Sequence, residues 1–262
     1  MRLRGYADEV PKPMVPIGTR PILWHLMKFY AHFGHKEFIL CLGYKGGCIK
    51  EYFLHYDEAV SNDFVWSKGG KEIQFANRDI DDWTIRFVET GINTTVGERL
   101  KAVEPYVKDE EMFLANYGDG LSDLPLPAMI ETFRQSDAVA SLLLVQPTAS
   151  FDIVEVGPTR LVTDVCRLAQ SDIWINGGFF VMRREIFSYI RPGEELVREP
   201  FQRLIERQSL LSYKYTGFWQ CMDTFKDKSR LDDLEQTTAP WKVWNSLSHL
   251  APEPADRVAE HV

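Results

Sequence analysis

Three short stretches carry side chains suited to handling phosphate. Gly118-Asp119-Gly120-Leu121-Ser122-Asp123 sets a carboxylate between two glycines, where a ligand can come close to the backbone. That arrangement suits a magnesium ion bound together with a phosphate; a plain polar turn is the alternative. Gly217-Phe-Trp-Gln-Cys-Met-Asp223-Thr224 places a second carboxylate just ahead of a helical stretch. Asp223 is then either an N-cap or a second magnesium ligand from far along the chain. Val10-Pro11-Lys12-Pro13-Met14 brackets a lysine with two prolines, which fix the backbone and remove competing amide donors. A lysine held this way can bind phosphate as a point charge; a solvated loop lysine is the other reading.

A fourth stretch is Trp174-Ile175-Asn176-Gly177-Gly178-Phe179-Phe180. Paired glycines inside an apolar run mark a bulge or a close ligand approach. The Asn176 amide could read sugar hydroxyls, unless the bulge is purely structural. Asp79-Ile80-Asp81 has the DxD shape of a metal-bound sugar-nucleotide site, but it lies in the polar run from Asn77 to Asp82 and is read as a solvated turn.

These residues need a frame, and the pattern around them alternates between helix and strand. Arg20-Pro21 opens a helix carrying Leu23, Leu26, Met27, Tyr30 and Phe33, closed by Gly34. Strands are expected at 37–42, 83–89, 112–116, 138–145 and 174–182. Further helices are expected around 49–55, 125–133, 194–207 and 225–234. The alternation implies an α/β fold with a mixed, mostly parallel sheet flanked by helices, and in such sheets ligands lie beyond the carboxyl ends of the strands. A single domain over residues 1–240 and a tail over 241–262 are expected.

The chain has 262 residues, 38 acidic against 30 basic, and a formal charge of −8. That balance argues against nucleic acid and anionic membranes as partners. No apolar run is long enough to span a bilayer, and the start has no apolar leader segment. Cys41, Cys48, Cys166 and Cys221 form no CxxC pair and are read as reduced thiols of a cytoplasmic protein. The six histidines lack HExxH spacing and are assigned solvated or capping roles.

Taken in order, the motifs form a collinear series: Pro11-Lys12-Pro13-Met14, then Gly18-Thr-Arg-Pro-Ile-Leu-Trp-His25. Leu42-Gly-Tyr-Lys-Gly46, Thr90-Gly-Ile-Asn-Thr94 and Tyr117-Gly-Asp-Gly120 follow. The series closes with Trp174–Phe180 and Gly217–Thr224. It resembles the sugar-1-phosphate nucleotidylyltransferases, and among them the glucose-1-phosphate cytidylyltransferases, to about Leu234. The resemblance implies a Rossmann-like (GT-A-like) nucleotidyltransferase fold that joins a nucleoside triphosphate, here CTP, to a sugar 1-phosphate and releases pyrophosphate. It makes Asp119 and Asp223 the Mg2+ carboxylates and Lys12 and Arg2 the cations facing phosphate. Gly97, Arg99 and Gly118 fall with the nucleotide, and Arg167, Asn176 and Gly177 with the sugar phosphate. A homo-oligomer is also expected.

Three departures accompany it. Met1-Arg2-Leu3 aligns with the end of the family's glycine-rich loop, so the usual first strand is expected to be lacking and nucleotide binding to be weak. The family's Glu-Lys-Pro stands here as Cys166-Arg167-Leu168, where Arg167 keeps the charge. Glu98 replaces a small residue and puts a carboxylate near the base. Two rival readings follow: a noncatalytic sugar-nucleotide-binding homologue, or a nucleotide-sugar-dependent glycosyltransferase.

Overall fold

The computed structural model describes residues 10–148, 151–168 and 171–245. Two short strands, β1 (Pro16–Ile17) and β2 (Arg20–Pro21), form an antiparallel hairpin that feeds α1 (Ile22–His32). Pro21 presets the entry to α1, and Gly34, at φ +90°, takes the left-handed exit. Nine of its 11 residues are buried, so the helix lies inside the molecule with apolar contacts all round.

β3 (Glu37–Leu42) leads through α2 (Gly46–Leu54) and a hairpin of β4 (Phe64–Ser67) and β5 (Glu72–Phe75) to β6 (Thr84–Glu89). β6 pairs in parallel with β3, register Glu37 to Thr84. Next come α3 (Val96–Ala102), β7 (Met112–Asn116), β8 (Gly120–Ser122), α4 (Leu126–Arg134) and β9 (Ala140–Val145). A hairpin of β10 (Asp152–Val156) and β11 (Val162–Arg167) precedes the nine-residue β12 (Ile175–Arg183). α5 (Glu199–Glu206), β13 (Leu210–Tyr215), β14 (Trp219–Cys221) and α6 (Phe225–Glu235) complete the described elements.

The main sheet runs β13-β9-β12-β7. β12 is its axis, and alternate side chains serve opposite faces. Phe179 and Val181 join a core with α1, α4 and Trp219, while Phe180 and Met182 join one with α3 and α5. Burying each such side chain contributes about 1.5–3 kcal/mol.

The fold is α/β and mixed, as the pattern implied, but parallel pairing is less common than expected. Two of the eight ladders among the described residues are parallel, β3 with β6 and β13 with β9. The cause is β12, which returns after a hairpin rather than a helical crossover and so opposes both neighbours. No strand joins β3 to β7 among the described residues.

Other expectations also change. The helix expected from 194 begins at Glu199, with Pro200 in its first turn, where its missing N–H has no intrahelical bond to lose. Asp79 is no solvated residue. Its carboxylate accepts from Lys28 at 2.9 Å, Ser61 at 2.6 Å and Asn62 at 2.9 Å. Beside it the buried Arg20 donates to the Asp57 carbonyl at 2.7 Å and lies over the Tyr56 ring. Asp81 pairs with Arg78 at the surface. His25 is buried as well: Nε2 donates to the Ile17 carbonyl at 3.0 Å, and Nδ1 accepts from Trp241 at 3.3 Å. Trp241, placed in the tail by the sequence reading, is completely buried in the main core; residues 246–262 of that tail lie outside the described residues.

Candidate active site

Lys12 stands on a 3-10 turn, Lys12–Met14, closed by Met14 N donating to the Pro11 carbonyl at 2.8 Å. Its Nζ donates to Asp119 Oδ2 at 2.6 Å and to Asp223 Oδ1 at 2.5 Å. Two three-residue strands make this meeting. β8 runs antiparallel to β14 with Gly120 opposite Cys221, and Met222 N extends the ladder to the Asp119 carbonyl at 2.9 Å. The two aspartates are thereby set side by side beyond the carboxyl end of β7.

The N-cap position considered for Asp223 falls to its neighbour. Thr224 is the N-cap of α6 in a capping box with Asp227, whose carboxylate accepts from Thr224 N at 2.8 Å. Asp223 stands one residue ahead of that cap, and its Oδ1 faces Lys12. Its side chain is 64% exposed while that of Asp119 is 22% exposed, so the trio is open from the Asp223 side.

Burial works against the charge on Lys12, but Asp119 and Asp223 outweigh it and hold the ammonium above its ordinary pKa. Asp119 lies deepest, and burial lifts its carboxyl above the usual range despite Lys12. Burial and the Asp223 charge push the Cys221 thiol up to about 12, which leaves it a poor nucleophile.

Gly118, at φ +86°, turns the chain from β7 into Asp119, a conformation few other residues tolerate. Tyr117 links this turn to β12. Its hydroxyl accepts from Asn176 Nδ2 at 3.0 Å, and Asn176 Oδ1 accepts from Gly178 N at 2.9 Å. The expected bulge is present: the β9–β12 register shifts between Asn176 and Phe180. Gly178 has φ +77°, and a Cβ there would meet the Tyr117 ring at 2.8 Å. Gly177 donates nothing to the trio but accepts, through its carbonyl, from Trp219 Nε1 at 2.8 Å, which locks β14 onto β12.

No family model matches the chain. The glucose-1-phosphate cytidylyltransferases of Salmonella typhimurium and Salmonella typhi are each 38% identical to it over 236 residues, covering 89% of this chain and 91% of theirs. This chain belongs to the glucose-1-phosphate cytidylyltransferase family. Its fold is that of the wider nucleotidyltransferases. The inositol-1-phosphate CTP transferase from T. maritima superposes with a TM-score of 0.60 at 16% identity, over 92% of each chain.

Of the remaining residues singled out by resemblance to the cytidylyltransferases, the described ones make contacts away from the trio. Arg2 lies outside the described residues. Arg99 donates to the Thr94 carbonyl at 3.3 Å, the Thr90 hydroxyl at 3.4 Å and the Ile92 carbonyl at 3.4 Å. It thus braces the loop after β6, with Gly43 leaving room for its guanidinium. Gly97 is buried against a backbone: a Cβ there would meet the Glu194 carbonyl at 2.4 Å. Glu98 is the capping-box partner of Thr95 and accepts from Gly193 N at 3.0 Å. Arg167 ends β11 opposite Asp152, on a hairpin whose strands pair only with each other among the described residues.

The trio fits a magnesium site. Two carboxylate oxygens from separate segments converge on one cationic nitrogen, and that ammonium stands in for a metal cation. Magnesium commonly takes one or two protein carboxylates and completes its shell with water and phosphate. Among the described residues no cluster of three His, Cys, Asp or Glu forms a site, so the other ligands would have to come from water and substrate.

The sequence reading missed Tyr117 as the link between the two motifs, and Trp219 as the lock. It also missed the spacings Thr95-x-x-Glu98 and Thr224-x-x-Asp227, which are readable as capping boxes and would have given the N-cap position to Thr224.

Proposed function

We propose that this chain transfers a cytidylyl group from CTP to glucose 1-phosphate, giving CDP-glucose and pyrophosphate. The observation that carries this reading is the convergence of Asp119 and Asp223 on Lys12, in a chain of this family. A phosphate oxygen of the sugar 1-phosphate attacks the α-phosphorus of CTP, and the bond to the β-phosphate oxygen breaks in line with it. No covalent enzyme intermediate is needed, so positioning and charge neutralisation supply the rate.

Asp119 and Asp223 hold Mg2+, which when bound supplies charge stabilisation on the phosphates. Lys12 and Arg2 neutralise the transferring and leaving groups. Asn176, held by Tyr117 and Gly178, presents its amide to the sugar, with Gly177 and Arg167 at the same subsite. Gly97, Arg99 and Gly118 shape the nucleotide side, Arg99 by bracing residues 90–94.

A cytoplasmic homo-oligomer fits the remaining surface. Val154, Val156, Val162 and Val165 on β10 and β11 are all more than half exposed, an apolar area of the kind partner subunits cover. No helix of the described residues is long and apolar enough to cross a membrane.

The test is pyrophosphate release with each of the four common nucleoside triphosphates and a panel of sugar 1-phosphates. CTP with glucose 1-phosphate should exceed every other pair in kcat/KM. A higher value with another base or sugar replaces the substrate assignment, and no release with any pair removes the reaction.

A further inference from the structure

Lys12 makes a contact that a purely phosphate-binding lysine has no need of. Its nitrogen lies between one oxygen of each aspartate, at 2.6 Å and 2.5 Å. The second Asp223 oxygen is taken up differently, accepting from the Cys221 thiol at 3.4 Å, so the oxygen facing Asp119 is the one that Lys12 holds. The backbone beneath the lysine is fixed by Pro11 and Pro13, while its four-carbon stem can swing.

A magnesium ion would bind the same facing oxygens at about 2.0–2.1 Å. An ammonium and a metal ion cannot both stand between them: the space is one cation wide, and two like charges that close repel strongly. The two aspartates, unneutralised, would repel each other in the same way, and the ammonium relieves that repulsion within the trio.

We propose that Lys12 is a built-in counter-ion of the magnesium site, which leaves Asp119 and Asp223 when a divalent cation enters and is thereby delivered to the triphosphate. Cation entry and lysine delivery become one coupled event. The inference rests on the assignment of Asp119 and Asp223 as magnesium carboxylates under the proposed function. It adds that the metal-free and metal-bound forms differ in where Lys12 points.

The test uses the nucleotide-free full chain and Mn2+ alone, with free ion followed by electron paramagnetic resonance. Lys12→Met should bind Mn2+ roughly tenfold more tightly than wild type, as expected when a competing ion pair worth about 1 kcal/mol or somewhat more is removed. The gain should persist at about 0.5 M KCl, where a merely long-range field would be screened. Asp119→Asn and Asp223→Asn should each lose binding. Unchanged or weaker binding by Lys12→Met, with both aspartate variants defective, overturns the counter-ion role and leaves the carboxylate pair standing. Wild-type binding by either aspartate variant removes the pair itself.

A second measurement needs no altered fold. In protein carrying 13C-labelled lysine, the Lys12 ε-methylene signal, assigned with Lys12→Gln, should move as Mg2+ is added without nucleotide. A signal that stays fixed through saturation overturns the proposal.

Discussion

Two acid–base clusters in this molecule use the same residue types to opposite ends. At Asp79, one carboxylate is surrounded by donors from Lys28, Ser61 and Asn62, while its own N–H donates to Glu58 at 3.0 Å. Only 11% of the Asp79 side chain is exposed. At the candidate active site, two carboxylates face one ammonium, and the outer one opens to solvent. The first cluster is saturated by the protein and ties residues 57–79 to α1. The second opens to solvent on its Asp223 side, where a ligand can reach it. A carboxylate's use therefore depends on whether the fold encloses it among its own donors or leaves it accessible.

The sharpest break in this comparison is to remove charge from each cluster and read both activity and stability. Asp223→Asn should lower pyrophosphate release by about a thousandfold, the scale of lost electrostatic stabilisation at a reacting centre. Its thermal midpoint should stay within about 3 °C, since an exposed charge contributes little to folding. Asp79→Asn should do the reverse. Calorimetry should record a loss of about 3 kcal/mol, as for a buried charge network that loses one partner, with KM for CTP unchanged in the folded fraction. A variant of either kind that moved both readouts equally would erase the distinction.

Acid offers a second way to separate them. Burial lowers His25 to about 4, against about 6.5 in an unfolded chain. The neutral ring is the native one, so this stability is complete above the unfolded value and declines as pH falls towards 4. Urea unfolding at pH 7.5 and 4.5 should register a decline of up to about 3 kcal/mol from this group. Burial opposes the Asp79 charge too, yet its bonds to Ser61, Lys28 and Asn62 hold it below the ordinary range. Its contribution is present above the ordinary aspartate range and is lost only as pH falls further, through its lowered folded value. Constant stability from pH 7.5 to 4.5 would contradict the buried, neutral His25.

The smallest effect lies at the edge of the site. Gly178→Ala meets both a left-handed φ and the Tyr117 ring, and should cost about 1–2 kcal/mol. Because Tyr117 holds Asn176, KM for glucose 1-phosphate should rise several-fold while KM for CTP stays put. Equal changes in both would mean that the bulge does not serve the sugar side.

Much of this was legible in the residues. The strand Met112–Asn116 has the bounds its apolar run suggested, and Asp119 follows it as a strand-end carboxylate should. Lys12 lies on the turn its flanking prolines suggested, and the glycines after Asn176 fall at a register shift. What could not be read was adjacency. β8 and β14 are three residues each, too short to show a period, and their pairing is what joins Asp119 to Asp223. The β10–β11 hairpin lacks the alternation of a half-buried strand because both its faces are largely exposed. Asp79 looked like a surface turn because its partners come from Lys28 and from residues 61 and 62, which no local window contains.

Trp241 has a bearing on anyone who shortens this protein. Its indole meets His25 of α1 on one side and Phe218 on the other, the latter at 5.8 Å between ring centroids. Phe218 immediately precedes β14, which carries the chain to Asp223. A recombinant version trimmed at Pro240, where the residues begin to look dispensable, would pull a wedge from behind the strand that aims the outer carboxylate. Its melting curve and its metal affinity should deteriorate together.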